Sequence, residues 1–230
     1  MAGYIFGNTY YSYYFDFFRL HYSADYKGIA LRLFNKKPKS MNISNIYTIG
    51  YGARDIKSFI SLLKAHKIDY LIDVRSTPYS KFNPKFNHRD LSYALKEHNI
   101  TYVFMGDTLG GRPADETCYT EDGKVDYKKV ETKDFYKTGI DRIKTAYKKG
   151  LNIVLMCSEA NPSQCHRSKL IGMTLIKELE CKNCLKHIDE FGKIKDQATV
   201  INEITKGKGP TDLFNVEIYT TSIKSYLNAG

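Results

Sequence analysis

The side chains best suited to chemistry in this 230-residue chain are gathered between Leu151 and Leu170. Ile153-Val154-Leu155-Met156 is an apolar run of the length of a buried strand. It ends at Cys157. A polar turn follows with Ser158, Glu159, Asn161 and Pro162, and Cys165, His166 and Arg167 then open a segment of helical periodicity. Three chemistries fit these types. A thiolate nucleophile is favoured beside arginines and a helix start, which lower a thiol's pKa, and His166 or Glu159 then serves as acid or base. Thiolates and an imidazole also suit zinc, although Cys157, Cys165 and His166 match no standard zinc module in their spacing, so no metal is assigned. Alternatively, one cysteine is a small apolar core residue and the other incidental. Two thiols across a turn can also form a reversible disulfide.

These residues need a scaffold. Ile46-Tyr47-Thr48-Ile49 reads as a strand leaving through Gly50-Tyr51-Gly52. Asp55 caps a helix with Ile56, Phe59, Ile60 and Leu63 on one face. Tyr70-Leu71-Ile72 forms a second strand running into Asp73-Val74-Arg75-Ser76. After Pro78 comes a loop of basic and aromatic residues, Tyr79 to Asn87, then a helix over about 88–98 with Leu91, Ala94 and Leu95 inward. A third strand, Ile100 to Met105, empties into Asp107-Thr108-Leu109-Gly110-Gly111-Arg112-Pro113. Residues 114–132 are polar and turn-rich and read as an insertion or lid loop. A helix over about 134–149 ends at Gly150, the central strand and the Cys-His-Arg helix to Leu179 follow, then a short strand near Lys186-His187-Ile188, a helix over 196–204 and a terminal strand from Phe214 to Thr220. Strands alternating with helices imply an α/β fold of three layers, a mostly parallel sheet with helices on both faces, Rossmann-like in its layering.

In such a sheet, Asp73, Arg75, the turn to Arg112, and Cys157 to Glu159 all follow strands and share one edge, where α/β proteins bind ligands. Arg75, Arg112 and Arg167 would then surround a helix N-terminus, and guanidinium forks hold phosphate or carboxylate bidentately. An anionic small molecule or nucleic acid is the expected partner. The plainer alternative is that Asp73 and Arg75 pair with each other and Arg167 only begins a helix. Neither a dinucleotide-binding nor a P-loop glycine pattern occurs, so no cofactor is specified. The glycines at 110–111 suit a close backbone approach to a ligand or neighbouring loop.

The net charge of +10 favours anionic partners without selecting one. Lys81, Lys85 and Arg89 interleave with Tyr79, Phe82 and Phe86 as in grips for single strands, though a partly packed loop explains them equally. No run of apolar residues reaches membrane-spanning length, and no secretory leader is visible. Five cysteines, an odd number with four clustered late, imply reduced thiols in the cytoplasm. Cys181 and Cys184 make half a zinc site at most. Residues 1–40 differ from the remainder: they hold seven of the 19 tyrosines and no clean period. Met41 is the expected biological start, with residues 1–40 an upstream over-extension; the rival is an aromatic arm that packs on the domain or binds nucleic acid. The expected domain covers 41–205, with a C-terminal extension over 206–230.

Taken together, Tyr47-Thr48-Ile49-Gly50, Asp73-Val74-Arg75-Ser76 with Pro78 and Ser80, Gly110-Gly111-Arg112, and the block from Cys157 and Glu159 through Pro162 to Cys165-His166-Arg167 resemble the family called domain of unknown function 488, over roughly residues 45–190. The resemblance implies a fold and a shared site at Asp73, Arg75, Arg112, Cys157, Glu159, Cys165, His166 and Arg167, and no reaction. Relatives usually follow Gly50 with a His-Ser-like pair, where this chain has Tyr51-Gly52. Two function classes follow: a thiol-dependent enzyme with an anion pocket, and a non-catalytic nucleic-acid-binding or accessory protein with structural cysteines.

Overall fold

The computed structural model describes residues 45–181, 183–207 and 220–227. The over-extension or arm expected over residues 1–40 lies outside them, as does the strand expected from Phe214 except for Thr220. The central strand β5 (Ile153–Cys157) is buried along its whole length. It pairs in parallel with β1 (Ile46–Gly50) on one side and β2 (Tyr70–Asp73) on the other. Strand β3 (Thr101–Phe104) extends the sheet beyond β2, β6 (Leu185–Ile188) extends it in parallel beyond β1, and β7 (Ile194–Asp196) closes that edge antiparallel to β6. The order β3-β2-β5-β1-β6-β7 inserts β5 between β1 and β2, unlike the consecutive 3-2-1 half of dinucleotide-binding folds.

Alternation along β5 divides the core between two faces. Val154 and Met156 pack with Phe59, Ile60 and Leu63 of α1 (Ile56–Ala65) and with Leu91 and Leu95 of α2 (His88–Lys96). Ile153, Leu155 and Cys157 pack with Tyr136, Ile140 and Ile143 of α5 (Asp134–Lys148) and with Leu170, Ile171 and Leu175. The helices therefore lie on both faces, as the alternation of elements requires. Their boundaries have local causes. The Asp55 carboxylate accepts from the backbone N–H groups of Lys57 and Ser58, both at 2.9 Å, and starts α1. Gly150, at φ +70°, takes the left-handed conformation that stops α5.

Two expectations change. Residues 114–132 are not a lid. A single 3-10 turn, Glu116–Cys118, leads to β4 (Lys124–Asp126) and α4 (Tyr127–Thr132), after a four-residue helical turn, α3 (Gly106–Leu109). Cys118, Val125, Tyr127 and Val130 are buried in the same core as α5, and that burial anchors the segment. Within 206–230, β8 (Thr221–Ser225) pairs antiparallel with β4, so this part of the C-terminal segment is integral to the domain.

The Cys-His-Arg helix also begins differently. Arg167–Gly172 forms a π-helical turn before α6 (Met173–Leu179). All six residues of that turn are buried. A regular amphipathic α-helix would expose some of six consecutive positions. The widened turn instead sinks between the sheet and α7 (Gln197–Ile204). Gln197 Nε2 donates to Ser168 O at 2.9 Å, while Gln197 Oε1 accepts from the His187 Nε2 at 2.6 Å. Such turns recur at functional sites.

Candidate functional site

The carboxyl ends of the parallel strands meet around Cys157. The Tyr51 backbone N–H donates to Cys157 O at 3.1 Å, and the Val74 N–H donates to Met156 O at 3.0 Å. The turn after β5 is closed by Arg167, which is fully buried. Its Nη1 donates to Glu159 O, and its Nη2 donates to Ala160 O at 2.9 Å. Two guanidinium arms on successive carbonyls fold the turn back over the strand end and bring Cys165 to Cys157.

Four side chains then converge. Cys157 Sγ lies 3.0 Å from Glu159 Oε2 and 3.9 Å from His166 Nδ1. Cys165 Sγ lies 3.7 Å from each of the same two atoms. The ligating atoms of Cys157, Cys165 and His166 are all within 4.8 Å of one another. Ser158 Oγ donates to Glu159 Oε2 at 3.0 Å and fixes the carboxylate. Exposure is 3% at Cys157, 2% at Cys165 and 8% at His166, so the cluster is nearly dry. Gly111 covers the imidazole: a Cβ there would lie 2.7 Å from Nδ1, 2.9 Å from Cγ and 3.1 Å from Cε1, a position over the ring face.

The two thiols are electrostatically unequal. Cys157 is pushed well up, first by the hydrogen bond to Cys165 and then by burial. Cys165 is under the same burial, but the hydrogen bond from Cys157, the Arg167 charge and the Arg167 backbone N–H hold it below the ordinary thiol value. Burial opposes the charge on Glu159, yet hydrogen bonds from Cys157 and Ser158 keep its carboxyl low. Burial also opposes protonation of His166, and the charge of Cys157 outweighs it and raises the imidazole. Of the two thiols, Cys165 is therefore the one whose ionised form the surroundings favour. Amides at this helix start are used internally: Cys165 N–H donates to Pro162 O, and the Ser168 and Lys169 N–H groups donate to Cys165 O.

The arginines separate by role. Arg75 Nε and Nη2 bind Asp73 Oδ1 and Oδ2 at 2.9 and 2.6 Å, and Nη2 also donates to Phe86 O at 2.8 Å. Asp73 is fully buried, Tyr102 OH donates to its Oδ2 at 2.7 Å, and the Arg75 guanidinium stands 5.3 Å from the Tyr51 ring centroid. Arg75 and Asp73 therefore form an internal ion pair bracing the edge. Arg112 is exposed, stacks 4.3 Å from the Tyr226 ring centroid, and only its backbone N–H reaches the edge, donating to Ser76 Oγ at 2.8 Å. The three guanidinium groups do not form a common clamp. Three buried nitrogens nevertheless have no hydrogen-bond partner among the described residues: Arg75 Nη1, His166 Nε2 and Arg167 Nε.

Sequence reasoning missed Tyr127 and Lys169. Tyr127 is buried, and its phenol is raised by that burial and by the nearby charges of Cys165, Cys157 and Glu159. Lys169, 8% exposed, is lowered by burial against the opposing charge of Cys165. Both line a cleft of about 240 Å³ between α4, α5 and the π turn, with Tyr136 and Thr174 on its wall. Lys169 could have been found as the residue one turn beyond Cys165. Tyr127 carried no local signal, because its segment read as a loop.

The fold and the cluster define a class: a parallel-sheet α/β protein with a thiol, carboxylate and imidazole cluster at the end of its central strand. The model of the family Domain of unknown function DUF488 matches residues 55–174, more than half of the chain, and the chain belongs to that family. No curated protein and no solved structure matches the chain. No helix among the described residues is long and apolar enough to cross a membrane.

Proposed function

We propose that this chain is a thiol-dependent enzyme acting on an anionic substrate at the carboxyl edge of the sheet. The observation that carries the reading is the convergence of Cys157, Glu159, Cys165 and His166 on one point, with both sulfurs within 4 Å of a carboxylate oxygen and an imidazole nitrogen. Cys165 is the nucleophile, and Cys157, whose proton is directed at Glu159 Oε2, lies beside it. The thiolate sulfur bonds to the electrophilic centre, the leaving group departs with its bonding pair, and His166 supplies its proton. Lys169 and Tyr127, which line the adjoining cleft, both interact electrostatically with Cys165. The unpartnered Arg75 Nη1, His166 Nε2 and Arg167 Nε support an anion at the edge, since a buried donor left without a partner costs about 1–3 kcal/mol. Asp73 and Arg112 act on the edge's geometry and its rim.

The test is iodoacetamide labelling of chelator-treated protein, read cysteine by cysteine by mass spectrometry. Cys165 is expected to label ahead of Cys118 and Cys184, which are equally buried, and Cys157→Ser to slow it. Labelling of Cys165 no faster than Cys118 overturns the reading.

The rival, a non-catalytic nucleic-acid-binding protein, draws on a separate surface. Phe82 is 98% exposed, with Tyr79 at 64% and Tyr93 at 61%, beside Lys81, Lys85 and Arg89. Loss of single-stranded oligonucleotide binding in a Lys81, Lys85 and Arg89 to Ala triple variant, with Cys157→Ser and Cys165→Ser unaffected, identifies that role.

A further inference from the structure

We propose that Cys157 Sγ, Cys165 Sγ, His166 Nδ1 and Glu159 Oε2 form a binding site for a single divalent ion of the zinc class. The inference takes from the reading above only that this cluster is the chain's site; with all four donors on the ion the tetrahedron is closed, so the metal-loaded form holds Cys165 out of the thiol reaction until the ion is removed. It goes beyond that reading by assigning a ligand set to a spacing that matches no standard zinc module.

Around a tetrahedral ion with metal–sulfur bonds near 2.3 Å and metal–nitrogen or metal–oxygen bonds near 2.0–2.2 Å, neighbouring donors sit roughly 3.3–3.8 Å apart. Here the sulfur–nitrogen separations are 3.9 and 3.7 Å, and Cys165 Sγ is 3.7 Å from Glu159 Oε2. As hydrogen bonds, contacts of this length are at the outer limit even for sulfur. As the edges of a coordination tetrahedron they are ordinary. The 3.0 Å approach of Cys157 Sγ to Glu159 Oε2 is shorter than such an edge and would open by roughly half an ångström around the ion, while the ligand atoms of Cys157, Cys165 and His166 all lie within 4.8 Å of one another.

Two thiolates and an imidazole select zinc, ferrous iron or cobalt over magnesium and calcium, which require oxygen ligands. On binding, each thiol gives its proton to solvent, because the thiolate is the ligand. The charges then balance: two thiolates and a carboxylate carry three negative charges, offset by the divalent ion and by the adjacent Arg167 guanidinium.

Each donor is already held by something other than an ion. Cys157 ends a strand paired on both sides, and Glu159 is tied through its backbone to Arg167 and through its carboxylate to Ser158. Cys165 is fixed by its N–H to Pro162 O, and the imidazole lies under Gly111, which leaves the in-plane direction of Nδ1 open. Coordination at Nδ1 puts the ring proton on Nε2. Three of the donors are within the dry core, where a hydrated ion would not compete for them.

The experiment is metal analysis of the purified full chain, followed by cobalt(II) titration of chelator-stripped protein. The readouts are the near-ultraviolet thiolate-to-cobalt charge-transfer band and the visible bands of tetrahedral cobalt. One ion per chain is expected. Cys157→Ser, Cys165→Ser and His166→Ala should each weaken cobalt binding at least tenfold, and Cys118→Ser should leave it unchanged. Circular dichroism guards against misfolded variants, and Glu159→Gln, the mildest change, must also shift the visible bands. No charge-transfer band and no co-purified metal overturns the proposal. If Cys165 still labels selectively in that case, the thiol reading survives without the ion. If it does not, both fall.

Discussion

Gly111 lies against the face of the His166 imidazole, and the contact leaves no room for a methyl group: a Cβ on Gly111 would stand 2.7 Å from Nδ1. The turn after α3 thus sets the plane of a ring that belongs to the turn after β5. Gly111 is half-buried, and its φ lies outside the left-handed range, so alanine strains no backbone angle there. Gly111→Ala should therefore leave the global unfolding transition nearly unchanged while tilting the imidazole. The expected outcome is cobalt affinity lower by about tenfold, the scale seen when groups that orient a ligand are lost. Unchanged affinity would mean that the ring is oriented from elsewhere.

A second glycine carries a larger load. At Gly50, the last residue of β1, an added Cβ would overlap the backbone carbonyl of Glu159 and stand 2.6 Å from Arg167 Nη1. The carbonyl is held by that same guanidinium, so it cannot retreat without breaking the turn. Gly50→Ala is expected to cost about 1–3 kcal/mol in urea unfolding, as overpacking does, and to abolish selective labelling of Cys165 as well. Loss of both together distinguishes this position from Gly111.

Asp73 and Arg75 form an ion pair inside the sheet edge. Both residues are buried and joined through two bonds of 2.9 and 2.6 Å. Removing one partner leaves the other charged and dry, a loss of about 3–5 kcal/mol, whereas replacing both with apolar residues of similar volume is often close to neutral. Asp73→Leu and Arg75→Met should each be severe and the double variant much milder. A double-mutant cycle in urea measures the coupling. Additive losses would show that the pair is not an energetic unit.

The readability of these features from sequence followed the range of the forces involved. The apolar run at Ile153–Met156 and the face of α1 at Phe59, Ile60 and Leu63 are local patterns, and both elements stand where they were expected. The π turn was not legible, because Leu170, Ile171 and Leu175 fit an α-helix as well. Its cause is tertiary, the burial of Arg167 to Gly172 on every side. Segment 114–132 read as a loop because Cys118, Val125, Tyr127 and Val130 follow no single period. The cysteine, carboxylate and imidazole types were visible at once. What the sequence did not carry is how the turn is closed, which depends on Arg167 reaching back to two carbonyls. The same dependence separated the arginines: Arg75 is adjacent in sequence to its partner Asp73, but Phe86 O and Tyr102 OH, which complete the arrangement, come from elsewhere in the chain.

The π turn also makes the site's support sensitive to acid through a residue outside the cluster. His187, on β6, is fully buried between Thr48 and Gln197, whose Nε2 binds Ser168 O in the turn. Because Gln197 Oε1 must accept, the His187 Nε2 carries the proton and Nδ1 accepts from Thr48 Oγ1 at 2.7 Å. Burial, reinforced by the Arg167 charge, lowers this imidazole from 6.5 to about 3. The unfolded chain takes up a proton as pH falls through 6.5, and the folded chain resists until about 3. Stability from His187 is therefore complete above pH 6.5 and declines across that window, by at most about 1.4 kcal/mol per pH unit. Urea unfolding of wild type and His187→Gln at several pH values isolates the contribution. The wild type should lose stability more steeply than the variant below pH 6.5, and parallel curves would show that His187 is charged in the folded state.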